Sequence, residues 1–187
     1  MIKTKNINKN TLLEVYSKSD GTEDFLLGYL VDEFEDYYIF QAIDTDGCLD
    51  SYVLYNKQDI KEITTDNDYT KAFQYYVNYQ KQNNSFDNLK LQNIYDVVPK
   101  TSILEILEYC CKNGLVITVY QAEDDYYEKG KALSVDDEIL MIDQESYNID
   151  FGIEDKSKNT PIKIKNIMSI DIISKENFLY GQYLHQN

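Results

Sequence analysis

Residues 24–30 read Asp-Phe-Leu-Leu-Gly-Tyr-Leu, residues 37–43 Tyr-Tyr-Ile-Phe-Gln-Ala-Ile, and residues 52–63 Tyr-Val-Leu-Tyr-Asn-Lys-Gln-Asp-Ile-Lys-Glu-Ile. Each run is rich in the β-branched and aromatic side chains that suit a pleated, half-buried surface. The reading is a series of antiparallel strands. Working outward, residues 11–17 form a first strand, ended by a turn at Ser19-Asp20-Gly21, and Phe25 to Phe34 form a long second one. Gly28 inside that second strand marks a sharp bend or a close backbone approach. The acids Asp32, Glu33, Glu35 and Asp36 turn the chain into a third strand, Tyr37 to Asp44, and Asp46-Gly47 turns it again. Residues 50–56 make the fourth strand, and after a break at Lys57-Gln58-Asp59 a short fifth runs through Ile60 and Ile63. Five short, strongly bent strands fit a small closed or nearly closed barrel.

The period then changes. Tyr69, Ala72, Phe73, Tyr76 and Val77 recur at helical spacing, with candidate N-caps from Asp66 to Asp68. This predicts an amphipathic helix over 68–82, laid on its own strands. Residues 83–98 open with Asn-Asn-Ser and read as a connection. Ser102-Ile103-Leu104-Glu105 is a capping box for a second helix, whose apolar stripe is Ile103, Leu104, Leu107, Cys110 and Cys111 and which Asn113-Gly114 ends. Strands follow at 115–121, 126–135, 139–144, 160–164 and 167–173, the first two separated by an acidic turn at Glu123-Asp124-Asp125. The loop at 145–159 is longer than its counterpart, and Phe178, Leu179, Tyr180 and Tyr183 suggest a tail that closes as a helix or packs back. The region from Glu128 to Ile170 reads as a degenerate second copy of the opening stretch. The expected divisions are 1–66, a helix and connection at 67–100, and 101–187 with its own leading helix.

In the second copy Gly130, Val135, Asp136 and Ile139 keep a spacing that Gly28, Phe34, Glu35 and Tyr38 keep in the first with one residue inserted. Ile60 and Ile63 recur as Ile167 and Ile170. On these residues, and on the helix at 102–112 leading into a strand, the chain resembles the Sm and Sm-like family. That resemblance implies a mainly β protein with a few helices, an α+β chain of two tandem five-stranded Sm-like or SH3-like small barrels joined by a helical connection. Residues 11–63 should then superpose on 115–173, with Gly28 and Gly130 in equivalent places. One continuous sheet, or unlike strand orders in the two halves, would sink the claim of a repeat. The chain departs from the family at Ile39 and Leu140, where the RNA-contacting Asn is expected, and at Asn56-Lys57 and Lys163-Ile164, where Arg-Gly is expected. Neither copy keeps the uridine pocket. The family leaves its fourth and fifth strands as edges that join neighbours into rings; two units on one chain can satisfy one edge internally, so a monomer or dimer is expected.

Charge narrows the function further. The chain has 33 acidic residues against 18 basic ones, all lysine, for a net charge of −15. The excess lies in 11–66 and 101–187. A field of that sign argues against nucleic acid as a partner, and the lack of guanidinium removes the two-pronged grip on phosphate. A solvated, solubilising surface is the plain alternative to a functional one. His185 is the single histidine, so imidazole base or triad chemistry finds no support, and there is no glycine cluster for phosphate. The acidic groups Asp32, Glu33, Glu35, Asp36 and Asp136, Asp137, Glu138 are solvated turns or oxygen ligands for a divalent cation. Eighteen tyrosines, paired at 37–38, 75–76 and 126–127, close strand edges or anchor an interface. Cys48, Cys110 and Cys111 are too few and too badly spaced for a disulfide framework or a zinc site, and read as buried, reduced thiols. The N-terminus has no apolar signal region and no stretch approaches a membrane span, which predicts a cytoplasmic protein.

The expectation is therefore a non-enzymatic, protein-binding adaptor or regulator without catalytic, cofactor or metal residues, whose partner is another, possibly basic, protein. An acidic mimic of nucleic acid, inhibiting a basic DNA- or RNA-handling protein, is the first alternative. A divergent Sm-like nucleic-acid binder is the second. The AT-rich flavour of the composition (Lys, Asn, Ile, Tyr and Asp without Arg) hints at a bacterial or phage source.

Overall fold

Alternation along each run sets which residues face which core. In the computed structural model, which describes residues 9–18, 25–34, 36–122, 127–152 and 159–186, the chain is mainly β with five helices. The first half holds β1 (Leu12–Ser17), β2 (Phe25–Phe34), β3 (Tyr37–Ile43), β4 (Leu49–Asn56) and β5 (Ile60–Thr64). Next come α1 (Asp68–Gln82), α2 (Leu91–Tyr95) and α3 (Ile103–Asn113). The second half holds β6 (Val116–Gln121), β7 (Tyr127–Val135), β8 (Ile139–Asp143), α4 (Glu145–Asp150), β9 (Thr160–Lys163), β10 (Ile167–Ser174) and α5 (Lys175–Gln186). The expected turns at Ser19-Asp20-Gly21 and Glu123-Asp124-Asp125, and the residues Glu35 and Tyr126, lie outside the described residues.

The ten strands of the described residues belong to one antiparallel sheet, in the order β5-β1-β2-β3-β4-β10-β6-β7-β8-β9. This corrects the expectation of two separate sheets. The reason is an edge: β4 would otherwise expose its ladder, and β10 pairs with it from Ser169↔Tyr55 to Ser174↔Ser51. Among the described residues β5 and β9 pair on one side only, so the sheet is not closed. Within it, however, the same order of fifth, first, second, third and fourth strand occurs twice.

Smaller irregularities repeat with it. Val31 is an extra residue in β2, between Leu30↔Phe40 and Asp32↔Ile39, and Leu133 is one in β7, between Ala132↔Ile142 and Ser134↔Met141. Each follows its glycine by three positions. Lys61 and Met168, the second residues of β5 and β10, are bulged in the same way. A single 3-10 turn, Lys57–Asp59 or Ile164–Asn166, leads into each of those strands. Bulges bend and twist a strand, so matched bulges give the two halves matched curvature.

The interior has an unequal division. The largest core joins both halves: Ile39, Tyr52 and Leu54 meet Leu107, Ile117, Leu140, Ile162 and Ile170. A second core holds the alternate residues of the same strands, including Leu13, Val15, Tyr38, Phe40, Val53 and Tyr55. A third forms where Phe73 and Val77 of α1 pack on Leu12, Leu27, Tyr29 and Ile43, so α1 covers a face of its own strands. The connection at 83–98 is not a loose tether. Asp87 accepts from the amides of Leu91 and Gln92 at 2.8 and 2.9 Å, and α2 buries Leu91 and Tyr95. Ser102 caps α3 by accepting from the Glu105 amide at 3.2 Å, and Gly114 ends it in the left-handed region. Its buried stripe is Ile103, Ile106, Leu107 and Cys110, with Leu104 and Cys111 at its half-buried flank. Burial thus holds for Cys110, whose thiol it pushes up to about 12, while Cys48 and Cys111 are half-buried; all three are free. Among the described residues no helix is long and apolar enough to cross a membrane.

Gly28 and Gly130 serve close approach. A Cβ built on Gly28 lies 2.5 Å from the carbonyl oxygen of Gln41, and one on Gly130 meets that of Asp143 more closely still. Both clashes are with the neighbouring strand's backbone, which cannot swing away as a side chain can. Gly28→Ala and Gly130→Ala should each lower stability by about 1–3 kcal/mol. Urea unfolding at fixed pH measures it; two unchanged midpoints would contradict the close-approach account.

Candidate functional site

Helix α1 is amphipathic, but its outer face is aromatic where a solvated helix would be charged. Asn67 starts the helix by accepting from the Thr70 amide at 2.8 Å. From there Thr70, Phe73 and Val77 turn inward, while Tyr69, Tyr75, Tyr76 and Tyr79 stay 44–67% exposed. The rings form a connected track. Tyr16 lies 5.2 Å from Phe25, Phe25 meets Tyr69 edge-on at 5.3 Å, and Tyr69 stacks on Phe73 at 4.6 Å. Phe73 then meets Tyr76 at 5.2 Å, and Tyr76 meets Tyr75 at 6.3 Å.

The β3–β4 hairpin presses against this helix. Gly47 has φ +79°, and a Cβ on it would come within 2.6 Å of the Tyr76 Cβ. Gln80 Nε2 donates to the Asp46 carbonyl at 2.9 Å. Two open hollows result. One, about 530 Å³, is walled by Phe25, Leu27, Ile43, Tyr69 and Phe73 and by the polar residues Asp44, Thr45 and Asp50. The other, about 210 Å³, lies among Asp46, Tyr75, Tyr76, Tyr79 and Gln80. Each sets carboxylates beside aromatic rings.

The acids here differ in state. Burial opposes the ionisation of Asp44, but Lys175 and the amides of Cys48 and Asp46 donate to it and hold its carboxyl below the usual range. Asp50 is the extra residue of β4, between Ala42↔Ser51 and Ile43↔Leu49. Burial raises its pKa, with Lys175 pulling the other way. Beyond it, on β10, Asp171 is densely surrounded. Burial, with Asp50 and Glu176 adding to it and Lys129 opposing, pushes Asp171 up to about 7. Lys129, itself buried, pairs with Glu176 at 2.6 Å, and the Tyr147 hydroxyl donates to Glu176 at 3.2 Å.

The positions singled out from sequence are dispersed. Ile39 and Leu140, standing where an RNA-contacting Asn was expected, are wholly buried. Asn56 caps a 3-10 turn, Lys57 pairs with Glu33 at 2.8 Å, and Lys163 is exposed on β9. The acidic turns are locally occupied. Asp32 accepts from the Tyr95 hydroxyl, and Asp136 accepts from the amides of Glu138 and Ile139 at 2.9 and 2.8 Å. Among the described residues no three of His, Cys, Asp or Glu gather as a metal site. His185 sits exposed near the end of α5. Of the tyrosine pairs, Tyr37 and Tyr38 are buried in the cores and Tyr75 and Tyr76 face outward. Asp44, Asp50 and Asp171 were not singled out. Their grouping depends on a bulge and on the pairing of β4 with β10, and the repeated turn acids masked them. In comparisons with known proteins, no family model matches the chain and no curated protein shows a significant match.

Asp171 generates a pH prediction. Its folded pKa lies above the unfolded value, so the folded state holds the proton more tightly. Stability should therefore fall as pH rises from about 4 to about 7. Asp171→Asn should be more stable than the parent at pH 8, by on the order of 1–3 kcal/mol, and should lose that advantage at pH 4. Urea midpoints at the two pH values check it; a pH-independent difference would contradict it.

Proposed function

We propose that this chain is a non-enzymatic, protein-binding adaptor or regulator of the cytoplasm, which engages its partner through the aromatic face of α1. The two five-strand runs are, in this reading, tandem small barrels of the Sm-like kind, serving as a scaffold for that face. The observation that carries it is the track Phe25–Tyr69–Phe73–Tyr76–Tyr75, in which Tyr69, Tyr75 and Tyr76 are exposed over the half-buried Phe25 and Phe73, with carboxylates beside it. Tyrosine offers large, rigid contact area with a polar tip, and it anchors protein interfaces for that reason. The partner is basic, matching the net charge of −15.

The same charge favours a second reading, an acidic mimic that occupies the nucleic-acid site of a basic DNA- or RNA-handling protein. A divergent Sm-like nucleic-acid binder has the strand order for it, and Ile39, Leu140 and the negative field against it.

Affinity capture with the full chain and with its Tyr75→Ala/Tyr79→Ala variant tests the reading. Both side chains are more than half exposed, so the variant should keep its fold. A protein held by the parent and reduced at least tenfold by the variant is expected. Equal capture by both chains would overturn the role of this face, and release of the captured protein by competing DNA or RNA would select the mimic. The chain should also scatter light as one or two copies, since β4 and β10 already pair internally; a mass of three or more would contradict that.

A further inference from the structure

The larger hollow at the start of α1 has walls of one chemistry and a floor of another. Phe25, Tyr69 and Phe73 supply ring faces and edges, Leu27 and Ile43 supply apolar surface, and Asp44, Thr45 and Asp50 supply oxygen. It is an open surface hollow of about 530 Å³. The two carboxylates are not equivalent. Asp44 is engaged by the Lys175 ammonium and by two backbone amides, whereas Asp50 has no hydrogen-bond partner among the described residues.

We propose that this hollow receives a lysine or arginine side chain from a basic segment of the partner protein, its alkyl stem against Phe25, Tyr69 and Phe73 and its charge on Asp50. The inference rests on the protein-binding reading and names what that partner must present. A cation over an aromatic ring is drawn by the ring's quadrupole, and a carboxylate at the same site adds a charge-assisted hydrogen bond. An anionic group would meet Asp44 and Asp50 in repulsion. A purely apolar side chain would cover Asp50 without giving it a donor, which costs free energy. A cation alone satisfies both the rings and the acid. Burial, with Asp44 and Glu176 adding to it, disfavours the charged form of Asp50 against the pull of Lys175, and a second cation on its carboxylate would add to that pull.

The probes are acetylated, amidated pentapeptides Lys-Gly-Lys-Gly-Lys and Arg-Gly-Arg-Gly-Arg, with the norleucine equivalent as control, titrated into the labelled full chain at 150 mM salt. Saturable amide shifts confined to residues around Leu27, Asp50 and Phe73 are expected with the cationic peptides and not with norleucine. Asp50→Asn, close in shape to the parent, and Tyr69→Ala should each weaken binding at least fivefold. Non-saturating shifts spread over the acidic surface, or undiminished binding by both variants, would overturn the proposal. Affinity capture separates this failure from that of the wider reading. If Asp50→Asn holds the partner as well as the parent does while Tyr75→Ala/Tyr79→Ala loses it, the hollow is not the cation site and the aromatic face still binds. If neither variant affects capture, the face itself is refuted.

Discussion

Everything in this molecule hangs on the pairing of β4 with β10. Each half alone presents about five strands, a size at which a hydrophobic core is marginal. Register Ser169↔Tyr55, Ile170↔Leu54 and Asp171↔Val53 zips the halves into one sheet and brings Ile170 and Leu54 into a common core with α3. The intervening chain follows from that pairing. Tyr95 of α2 stacks on Tyr52 of β4 at 3.9 Å with nearly parallel rings, and its hydroxyl reaches Asp32 on β2. The connection is therefore anchored on β4 and β2 of the first half.

The seam also explains the polar cluster. Setting two acidic halves edge to edge brings Asp50 of one near Asp171 of the other, with Lys129, Lys175 and Glu176 around them. Opposite charges are interleaved there, which offsets part of the repulsion that the joined halves would otherwise suffer. Elsewhere the acids act singly. Glu14, buried in β1, accepts from Tyr16, Thr64 and Asn67, and these bonds outweigh burial and keep its pKa low.

Much of the fold was legible in the sequence because strands, caps and turns are decided within a few residues. Tyr37–Ile43 declares its strand by composition, Ser102 with Glu105 declares a helix start, and Gly28 inside a strand announces a bend or a close approach, with Gly130 at the matching spacing. That one edge could be satisfied within the chain was legible, but the meeting of β4 with β10 in a single sheet was not, since edge pairing depends on residues more than a hundred positions apart and any open edge would have served. The candidate site lay between these cases. Tyr75 and Tyr76 were visible as a pair, but their exposure is known only once Phe73 and Val77 are seen to occupy the inner face. The hollow was invisible, because it needs the bulge at Asp50 and the fit of Gly47 against Tyr76.

The two outer edges of the sheet are unlike each other, β5 at one end and β9 at the other. Any copy-to-copy extension that joined one to the other would be heterologous, and a heterologous contact repeats without limit unless its geometry closes. Polymerisation is thus built into the topology as a hazard, and the residues at each end oppose it. The β9 edge is four residues long and contains Pro161, which has no amide hydrogen to donate to an incoming strand. The β5 edge is five residues long, bulged at Lys61 and charged at Lys61 and Glu62, both exposed. A strand arriving there would have to bury those charges and match a broken ladder. Resistance to such end-to-end extension is accordingly built into nine residues at the margins of the sheet.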